Sequence, residues 1–239
     1  MTATATHQGK QSMDAALYAE ARHLMVDDQL RPSEITDSRI LDGMRTLPRE
    51  LCVRTELRNA AYADTSLPLS QGSVLPQPLL TARLVQAAMP AAGQHVLVVG
   101  AATGYTAALF AYLGLRVTAL ESDTALIQIG QSFCNSYAPD VVWQQAPLSE
   151  GAAASAPYDL IYFDGCIATL PDFCDRQLAP QGRIVGLLQS NAALPEAFSA
   201  IREPGYSKPF RMTFLFEGQA PLLPGMAPER AFSFENMGG

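Results

Sequence analysis

The chain has 239 residues, of which 48% are apolar and 16% are charged, and its formal net charge is −7. This length accommodates one substantial α/β domain with an appendage but not two full enzymatic domains. The acidic balance and the scattered lysines and arginines argue against a nucleic-acid partner, because binding phosphates needs a concentrated basic surface. No run of eighteen apolar residues occurs, so we expect no transmembrane helix and no membrane partner.

The cysteines show no pattern typical of a metal site, because they form no Cys-x-x-Cys pair and have no histidine nearby. We interpret them as buried, reduced thiols, which favours a cytoplasmic location. They are Cys52, Cys134, Cys166 and Cys174. Residues 1–12 are polar, lack the apolar core of a signal peptide and are expected to form a disordered tail.

The next part of the chain predicts a helical appendage. Ser12 is a candidate cap for a helix over residues 13–30. Its inner side is expected to carry Ala16, Leu17, Ala21, Leu24, Met25 and Gln29. A second helix should begin after Asp37 and end at Pro48, with apolar residues at helical spacing: Ile40, Leu41, Met44 and Leu47. A third helix is expected over residues 79–88.

The stretch from Gln94 to Tyr105 organises the rest of the chain. Residues 96–99 are branched and apolar, which predicts a strand buried on both faces. Gly100 and Gly104 then bracket a tight turn before a helix over residues 107–115. This order is typical of a nucleotide-type cofactor site, because small residues allow close approach and the helix start presents free N–H donors. The same order also occurs in α/β proteins that bind no cofactor.

A second short apolar run, residues 117–120, ends at Glu121, where an acidic side chain can accept the hydroxyls of a ribose. A helix over residues 124–137 should follow, with Leu126, Ile127, Ile129 and Phe133 inward. Further strands are expected at residues 141–143, 160–163 and 183–188, and helices at 170–178 and 194–201. Trp143 is interpreted as a core residue.

The C-terminal residues 210–216 and 230–234 are expected to form an antiparallel pair, separated by the proline-rich excursion Pro221-Leu222-Leu223-Pro224-Gly225. The pattern predicts an α/β fold with a doubly wound, mostly parallel Rossmann-like sheet, an N-terminal helical appendage and an antiparallel C-terminal edge. We expect one domain over residues 13–239, divided into a helical region (13–90), a core (91–190) and C-terminal strands and a loop (191–239).

Several segments resemble one family in order and spacing. Among them are Met25-Val26-x-x-Gln29-Leu30, Met44-x-x-Leu47-Pro48-Arg49-Glu50, Ala61-Tyr62-x-Asp64-x-x-Leu67-Pro68 and Leu178-Ala179-Pro180-x-Gly182-Arg183. They are similar to those of the protein-L-isoaspartate O-methyltransferases over residues 20–190. The resemblance implies a class I S-adenosylmethionine-dependent methyltransferase. It also implies a protein or peptide substrate, in which isoaspartyl residues of damaged proteins are methylated on a carboxylate oxygen.

The resemblance implies the positions of the site residues. Those expected to contact S-adenosylmethionine are Gly100, Ala102, Gly104, Tyr105, Glu121 and Ser122. Ser73, Gln77 and Asp164 are expected on the catalytic, substrate-facing side. Asp164 ends a predicted strand and points toward the cofactor or the substrate, and a helix cap is the alternative. The residues interpreted as structural rather than catalytic are Pro48, Arg49, Tyr62 and Asp64.

The chain also departs from the family pattern. Where the family has a Gly-Gln-Thr-Ile-Ser-Gln-Pro type of loop, this chain has Gly72-Ser73-Val74-Leu75-Pro76-Gln77-Pro78, so two hydroxyl groups are replaced at Val74 and Pro76. Val98 and Pro147 stand where acidic residues are usual, and Ala102 replaces the middle glycine of the turn. Lost charged hydrogen bonds cost roughly 1.5 to 3 kcal/mol each, so we expect weakened cofactor binding.

Three hypotheses follow from these residues. The first is a carboxyl methyltransferase of the isoaspartyl type, which needs no general base because a carboxylate with a pKa of about 4 is ionised at pH 7. The second is a binding or structural protein that keeps the fold after its transfer site has decayed. The third is a methyltransferase with another substrate, for which Val74, Leu75 and Pro76 would form a more apolar pocket.

Overall fold

The computed structural model describes residues 15–189, 194–203 and 208–227. The predicted tail and Ser12 lie outside these residues. The helices are α1 (residues 15–24, continued by a π-helical turn over Met25–Leu30), α2 (Ser38–Thr46), α3 (Pro78–Ala87), α4 (Tyr105–Tyr112), α5 (Thr124–Tyr137) and α6 (Phe173–Gln177). Within the described ranges, no helix is both long and apolar enough to cross a membrane.

Within the described residues, the strands form two sheets. A small antiparallel hairpin consists of β1 (Leu67–Pro68) and β2 (Val74–Leu75). The strands of the seven-stranded central sheet are β3 (His95–Val99), β4 (Arg116–Glu121), β5 (Val142–Gln145), β6 (Tyr158–Ile167), β7 (Leu178–Leu188), β8 (Glu196–Ile201) and β9 (Arg211–Glu217).

The central sheet has the spatial order β5-β4-β3-β6-β7-β8-β9. Its first five strands are parallel, β8 runs antiparallel to β7, and β9 runs antiparallel to β8. The predicted α/β class, with a mostly parallel, doubly wound sheet and an antiparallel C-terminal edge, is therefore confirmed. The strand order reverses between β3 and β6, and ligands of such sheets bind in the crevice beyond the carboxyl ends at this point.

Strand β3 is buried on both faces, as its unbroken apolar run predicted. Val96 and Val98 belong to the hydrophobic layer that also contains the N-terminal helices. Leu97 and Val99 face a second layer on the opposite side of the sheet. Since successive side chains of a strand point to opposite faces, one short strand contributes to both layers.

Helix α1 confirms part of the inner side that we predicted, because Met25 is buried, Ala21 packs against the core and Gln29 is half-buried. Ala16, Leu17 and Leu24 are exposed, with Leu17 at 57% and Leu24 at 52%. The last turn widens to a π-helix, which alters the spacing of its inward-facing residues. Its buried residues are Met25, Val26 and Leu30.

Polar contacts explain why earlier residues of α1 turn inward without being apolar. Arg22 donates a hydrogen bond from Nε to the Tyr62 hydroxyl at 3.0 Å and lies 3.6 Å from the Glu50 carboxylate. The Tyr62 hydroxyl in turn donates to Glu50. Tyr62 therefore does more than the packing we predicted, because it joins α1 to the segment after α2. Helix α2 itself agrees with the prediction, since Asp37 caps it and its periodic apolar residues are buried.

The predicted helix over residues 194–201 is wrong, because this segment forms β8. Its alanines, leucine and glutamate favour a helix, but the segment pairs with β7 on one side and β9 on the other. Ala197, Phe198 and Ala200 are fully buried within this sheet. Tertiary pairing thus outweighs local propensity.

Other elements differ in extent or partner. The predicted helix over residues 170–178 shortens to α6, and Ile129 of α5 is 42% exposed rather than inward. Strand β9 confirms the strand predicted at residues 210–216, but its partner here is β8. Residues 230–234, its predicted partner, lie outside the described part of the chain. All four cysteines are free and buried.

Trp143 of β5 packs directly on Gly130 of α5. Adding one methyl group at Gly130 therefore tests how tightly this contact is packed. A Cβ atom at Gly130 would lie 2.2 Å from Cη2 of Trp143. Gly130→Ala should therefore lower the free energy of unfolding by about 1–3 kcal/mol, although alanine normally stabilises a helix interior. The control Ser132→Ala, on the exposed side of α5, should change it by less than about 0.5 kcal/mol. Urea denaturation measures both, and equal effects would contradict this packing.

Candidate functional site

The turn after β3 has the backbone geometry that its glycines predicted. Gly100, Ala102 and Gly104 have φ angles of 73°, 47° and 83°, so left-handed conformations alternate along the turn. Ala102 adopts this conformation despite its side chain, at a position where glycine would be unstrained. The turn leads into α4, which begins at Tyr105 and ends at Tyr112.

Glu121, at the carboxyl end of β4, fastens this turn to the next strand. Its carboxylate accepts hydrogen bonds from the backbone N–H groups of Ala102 at 2.9 Å, Ser122 at 2.7 Å and Asp123 at 3.0 Å. The side chain is 2% exposed. A carboxylate offers about four acceptor positions, so most of this one's capacity is used within the protein.

Asp164 lies inside β6, near the point where the pairing of β6 with β7 shifts register. The helix-cap alternative is wrong, because α6 begins only at Phe173. Burial raises the pKa of Asp164 to about 7, although the Thr106 hydroxyl and the Arg49 guanidinium oppose this and Glu121 adds to it. Asp164 is therefore a buried acid that titrates near neutral pH.

Arg49 is fully buried behind the turn. Its Nε donates to the Ala61 carbonyl at 2.8 Å, its Nη2 donates to the Pro76 carbonyl, and its guanidinium lies 5.1 Å from the centre of the Tyr105 ring. Burial lowers the pKa of Arg49, and the nearby Asp164 opposes this change. These contacts support the structural interpretation of Arg49, because it connects the hairpin region to the start of α4.

The β1–β2 hairpin covers one side of the crevice. Ser73 and Val74 line its cavity, whereas Leu75 and Pro76 are buried in the interior of the protein. The apolar pocket predicted from Val74, Leu75 and Pro76 is therefore wrong in two of its three members. Gln77 occupies the cap position of α3 without a side-chain cap bond and does not line this cavity.

The crevice itself is nearly full. Its cavity measures about 10 Å³, which is roughly the minimum for one water molecule. Sites for drug-sized ligands measure about 300 to 1,000 Å³. Ser73, Val74, Gly100, Ala102, Glu121, Asp164, Gly165 and residues 221–224 line it. A ligand of the size of S-adenosylmethionine does not fit this crevice as described.

The structure brings together part of the predicted site: Ser73, Gly100, Ala102, Glu121 and Asp164. The other residues lie outside the cavity lining. Gly104 faces Cys134 and Trp143 of the next layer, Tyr105 lies against Arg49, and Ser122 borders a surface pocket beside Pro147. Gly104 and Tyr105 thus shape the turn and the start of α4, whereas Ser122 follows β4.

Residues 221–224 are the part of the site that sequence reasoning missed. The proline-rich excursion was expected only as a connection between two C-terminal strands, not as part of the site. Its signal was the apolar pair Leu222-Leu223 between two prolines, a pattern that indicates a buried anchor in an otherwise irregular segment. No local pattern indicates which surface such an anchor contacts.

A family model and two similar relatives name the same protein family. A family model for protein-L-isoaspartate(D-aspartate) O-methyltransferases matches residues 20–195. A protein-L-isoaspartate O-methyltransferase of Methylorubrum extorquens is 36% identical over 167 residues, which cover 70% of this chain and 73% of the relative. A Koribacter versatilis protein of the same name is 35% identical over 175 residues, covering 73% and 79%.

Solved structures agree in fold. A protein-L-isoaspartate O-methyltransferase structure has a TM-score of 0.73 at 20% identity and covers 87% of this chain and 66% of that chain. One from Plasmodium falciparum, described as a complex with S-adenosyl-L-homocysteine, has a TM-score of 0.72 at 15% identity and covers 84% and 97%. At these identities the structural likeness shows the fold alone.

The left-handed conformation of Ala102 reverses the usual effect of a glycine substitution. Left-handed backbone costs a non-glycine residue about 1–2 kcal/mol, whereas glycine adds about 0.5–1 kcal/mol of entropy loss on folding. Ala102→Gly should therefore leave the free energy of unfolding unchanged or raise it by up to about 1 kcal/mol. Ala111→Gly in α4, the control, should lower it by about 1 kcal/mol or more. Similar losses in both variants, measured by urea denaturation, would disprove the expectation.

The raised pKa of Asp164 predicts how stability depends on pH. Between the unfolded-state pKa, about 3.9, and the folded-state value near 7, the folded chain binds more protons than the unfolded chain. Stability should therefore fall as pH rises through this window. Asp164→Asn should remove this fall, whereas Asp140→Asn, at an exposed aspartate, should retain it. Denaturation at several pH values compares the three chains; parallel profiles for wild type and Asp164→Asn would refute the assignment.

Proposed function

This chain belongs to the protein-L-isoaspartate(D-aspartate) O-methyltransferase family, and we propose that it is an S-adenosylmethionine-dependent carboxyl O-methyltransferase acting on isoaspartyl residues. The observation that carries the proposal is the family match over residues 20–195, which includes the whole crevice except residues 221–224. The partner is then a protein or peptide carrying the damaged residue.

The geometry of the turn supports cofactor binding once the crevice opens. Gly100, Ala102 and Gly104 keep the left-handed backbone that brings a turn close to a ligand, and Glu121 lies at the end of the neighbouring strand. The cofactor would contact these residues, Tyr105 at the start of α4, and Ser122 directly after Glu121. Glu121 would have to share its carboxylate with the backbone groups it already binds.

On the acceptor side, the protein has to position the isoaspartyl carboxylate rather than remove a proton from it. An isoaspartyl carboxylate is ionised at neutral pH, so the protein has to orient it and exclude water. Ser73 is a half-buried polar group at the crevice, and the buried Asp164 lines the same cavity. Gln77 lies farther along the loop. Asp164 in its protonated form would donate a hydrogen bond to a carboxylate without repelling it.

We also place the protein in the cytoplasm. Its four cysteines are free and buried, the state that reducing compartments maintain.

A binding or structural role is the second candidate. It is favoured by the nearly full crevice and by Val74 and Pro76, which replace the two hydroxyl side chains of the family's loop. A methyltransferase with a different acceptor stands between these two candidates.

Incubation with labelled S-adenosylmethionine and a peptide containing one isoaspartyl residue tests the proposal. We expect base-labile methyl esters on this peptide and none on the same peptide with normal aspartate. Glu121→Gln should reduce the transfer at least tenfold, because it weakens the charged hydrogen bonds that hold the turn. Glu20→Gln, at an exposed position on α1, should not change it.

Absence of transfer at high protein concentration, together with absence of cofactor binding, would leave the binding-protein candidate. Cofactor binding without transfer to the peptide would instead indicate another acceptor.

A further inference from the structure

We propose that residues 221–226, the C-terminal strap, occupy the cofactor crevice as an internal competitor, so that closure of the strap and binding of the cofactor exclude each other. This inference rests on the proposed function for the identity of the competing ligand. It assigns a regulatory role to a segment that lies outside the region matched by the family model.

Leu223 anchors the strap between two strands of the sheet. An ideal Cβ atom at Gly100 would lie 2.6 Å from Cδ2 of Leu223, and one at Gly165 would also lie 2.6 Å from the same atom. The leucine therefore occupies space that only glycine leaves free at the ends of β3 and β6. Leu223 is 9% exposed and Met226, the second buried residue of the strap, is 5% exposed.

Backbone hydrogen bonds hold the strap along the end of β6. Cys166 donates to the Pro221 carbonyl at 3.1 Å, and Leu223 donates to the Cys166 carbonyl at 2.8 Å. Together they make Cys166 and Leu222 partners in a parallel bridge. Ala168 then donates to the Met226 carbonyl at 3.1 Å. The strap is thus an added piece of sheet rather than a loop resting on the surface.

The position of the strap coincides with the predicted cofactor contacts. Its residues 221–224 share one cavity with Gly100, Ala102, Glu121 and Asp164, and only about 10 Å³ remains between them. A nucleoside-sized ligand does not fit this cavity while Leu223 is seated. The strap has to leave before the ligand binds, so the apparent affinity is reduced by the fraction of molecules in which it is closed.

Few buried side chains hold the strap in place. Only Leu223 and Met226 are buried, whereas its other four residues, Pro221, Leu222, Pro224 and Gly225, are exposed. Apart from the bonds to β6, its contacts depend on two side chains. Removing most of the Leu223 side chain should therefore open the crevice without disturbing the sheet beneath it.

Calorimetric titration of the full chain with S-adenosyl-L-homocysteine tests this competition. We expect Leu223→Ala to bind at least about tenfold more tightly than the wild type, because the strap closes in a smaller fraction of molecules. The matched control Leu215→Ala, on the exposed edge strand β9, should bind like the wild type. Far-UV circular dichroism and urea denaturation establish that each variant is folded.

A reversible disulfide that holds the strap closed provides a second test, which does not depend on the Leu223 variant. Bridge partners lie about 4.7–4.9 Å apart, within the Cα separation of about 4.4–6.8 Å that a disulfide allows. Leu222→Cys should therefore form a disulfide with the native Cys166 under oxidising conditions, and this should abolish titration by S-adenosyl-L-homocysteine. Reduction with dithiothreitol should restore it. Unchanged binding of S-adenosyl-L-homocysteine by the disulfide-linked chain would contradict the competition.

The outcomes separate this inference from the proposed function. If the wild type, Leu223→Ala and the oxidised Leu222→Cys chain bind with equal affinity, the strap is not a competitor and the methyltransferase proposal stands. If no chain binds, including folded Leu223→Ala, both the competitor role and the proposed cofactor are wrong. Tighter binding by Leu223→Ala with loss of binding in the locked chain supports both.

Discussion

The hydrogen bonds of the Glu121 carboxylate hold together the part of the sheet on which the site depends. One carboxylate accepts from the turn after β3 through Ala102 and from the start of the next connection through Ser122 and Asp123. Because the group is charged and almost completely buried, these bonds are stronger than neutral ones. They set the conformation in which the turn begins α4. The acid that a nucleoside ligand would engage is therefore also a structural element, and ligand binding and local order are linked at one side chain.

A second buried charge connects the helical appendage to this core. Arg49 binds carbonyls of two separate segments and lies against Tyr105, the first residue of α4. Transferring a charge from water to the protein interior is costly unless hydrogen bonds compensate. The hydrogen-bonding environment of Arg49 therefore has to remain nearly unchanged. The N-terminal region is attached further by Arg22, Glu50 and Tyr62. The hairpin that borders the crevice is thus positioned by residues far from it in the sequence.

The sequence was sufficient for features that depend on local pattern. The buried strand at residues 96–99, the glycine turn, the capped helix α2 and the position of Glu121 all follow from composition and spacing. The errors occurred where a distant partner decides. Residues 196–201 have helical composition and form β8 because β7 and β9 flank them. Helix α1 buries Met25, Val26 and Leu30 and adds an inward-facing arginine, Arg22, that contacts Glu50 and Tyr62. Leu223 lies far along the chain from Gly100, so no spacing rule connects them.

The strap also bears on how activity diverges among related chains. The region matched by the family model ends at position 195, and Leu223 lies beyond it. Selection on the core can therefore preserve the turn, the acid and the sheet while a change of one apolar residue in an unmatched tail alters access to them. Two chains with equally similar cores would then differ in catalytic competence because of residues that the comparison does not cover. For this chain, the presence of a site and access to that site are then separate properties.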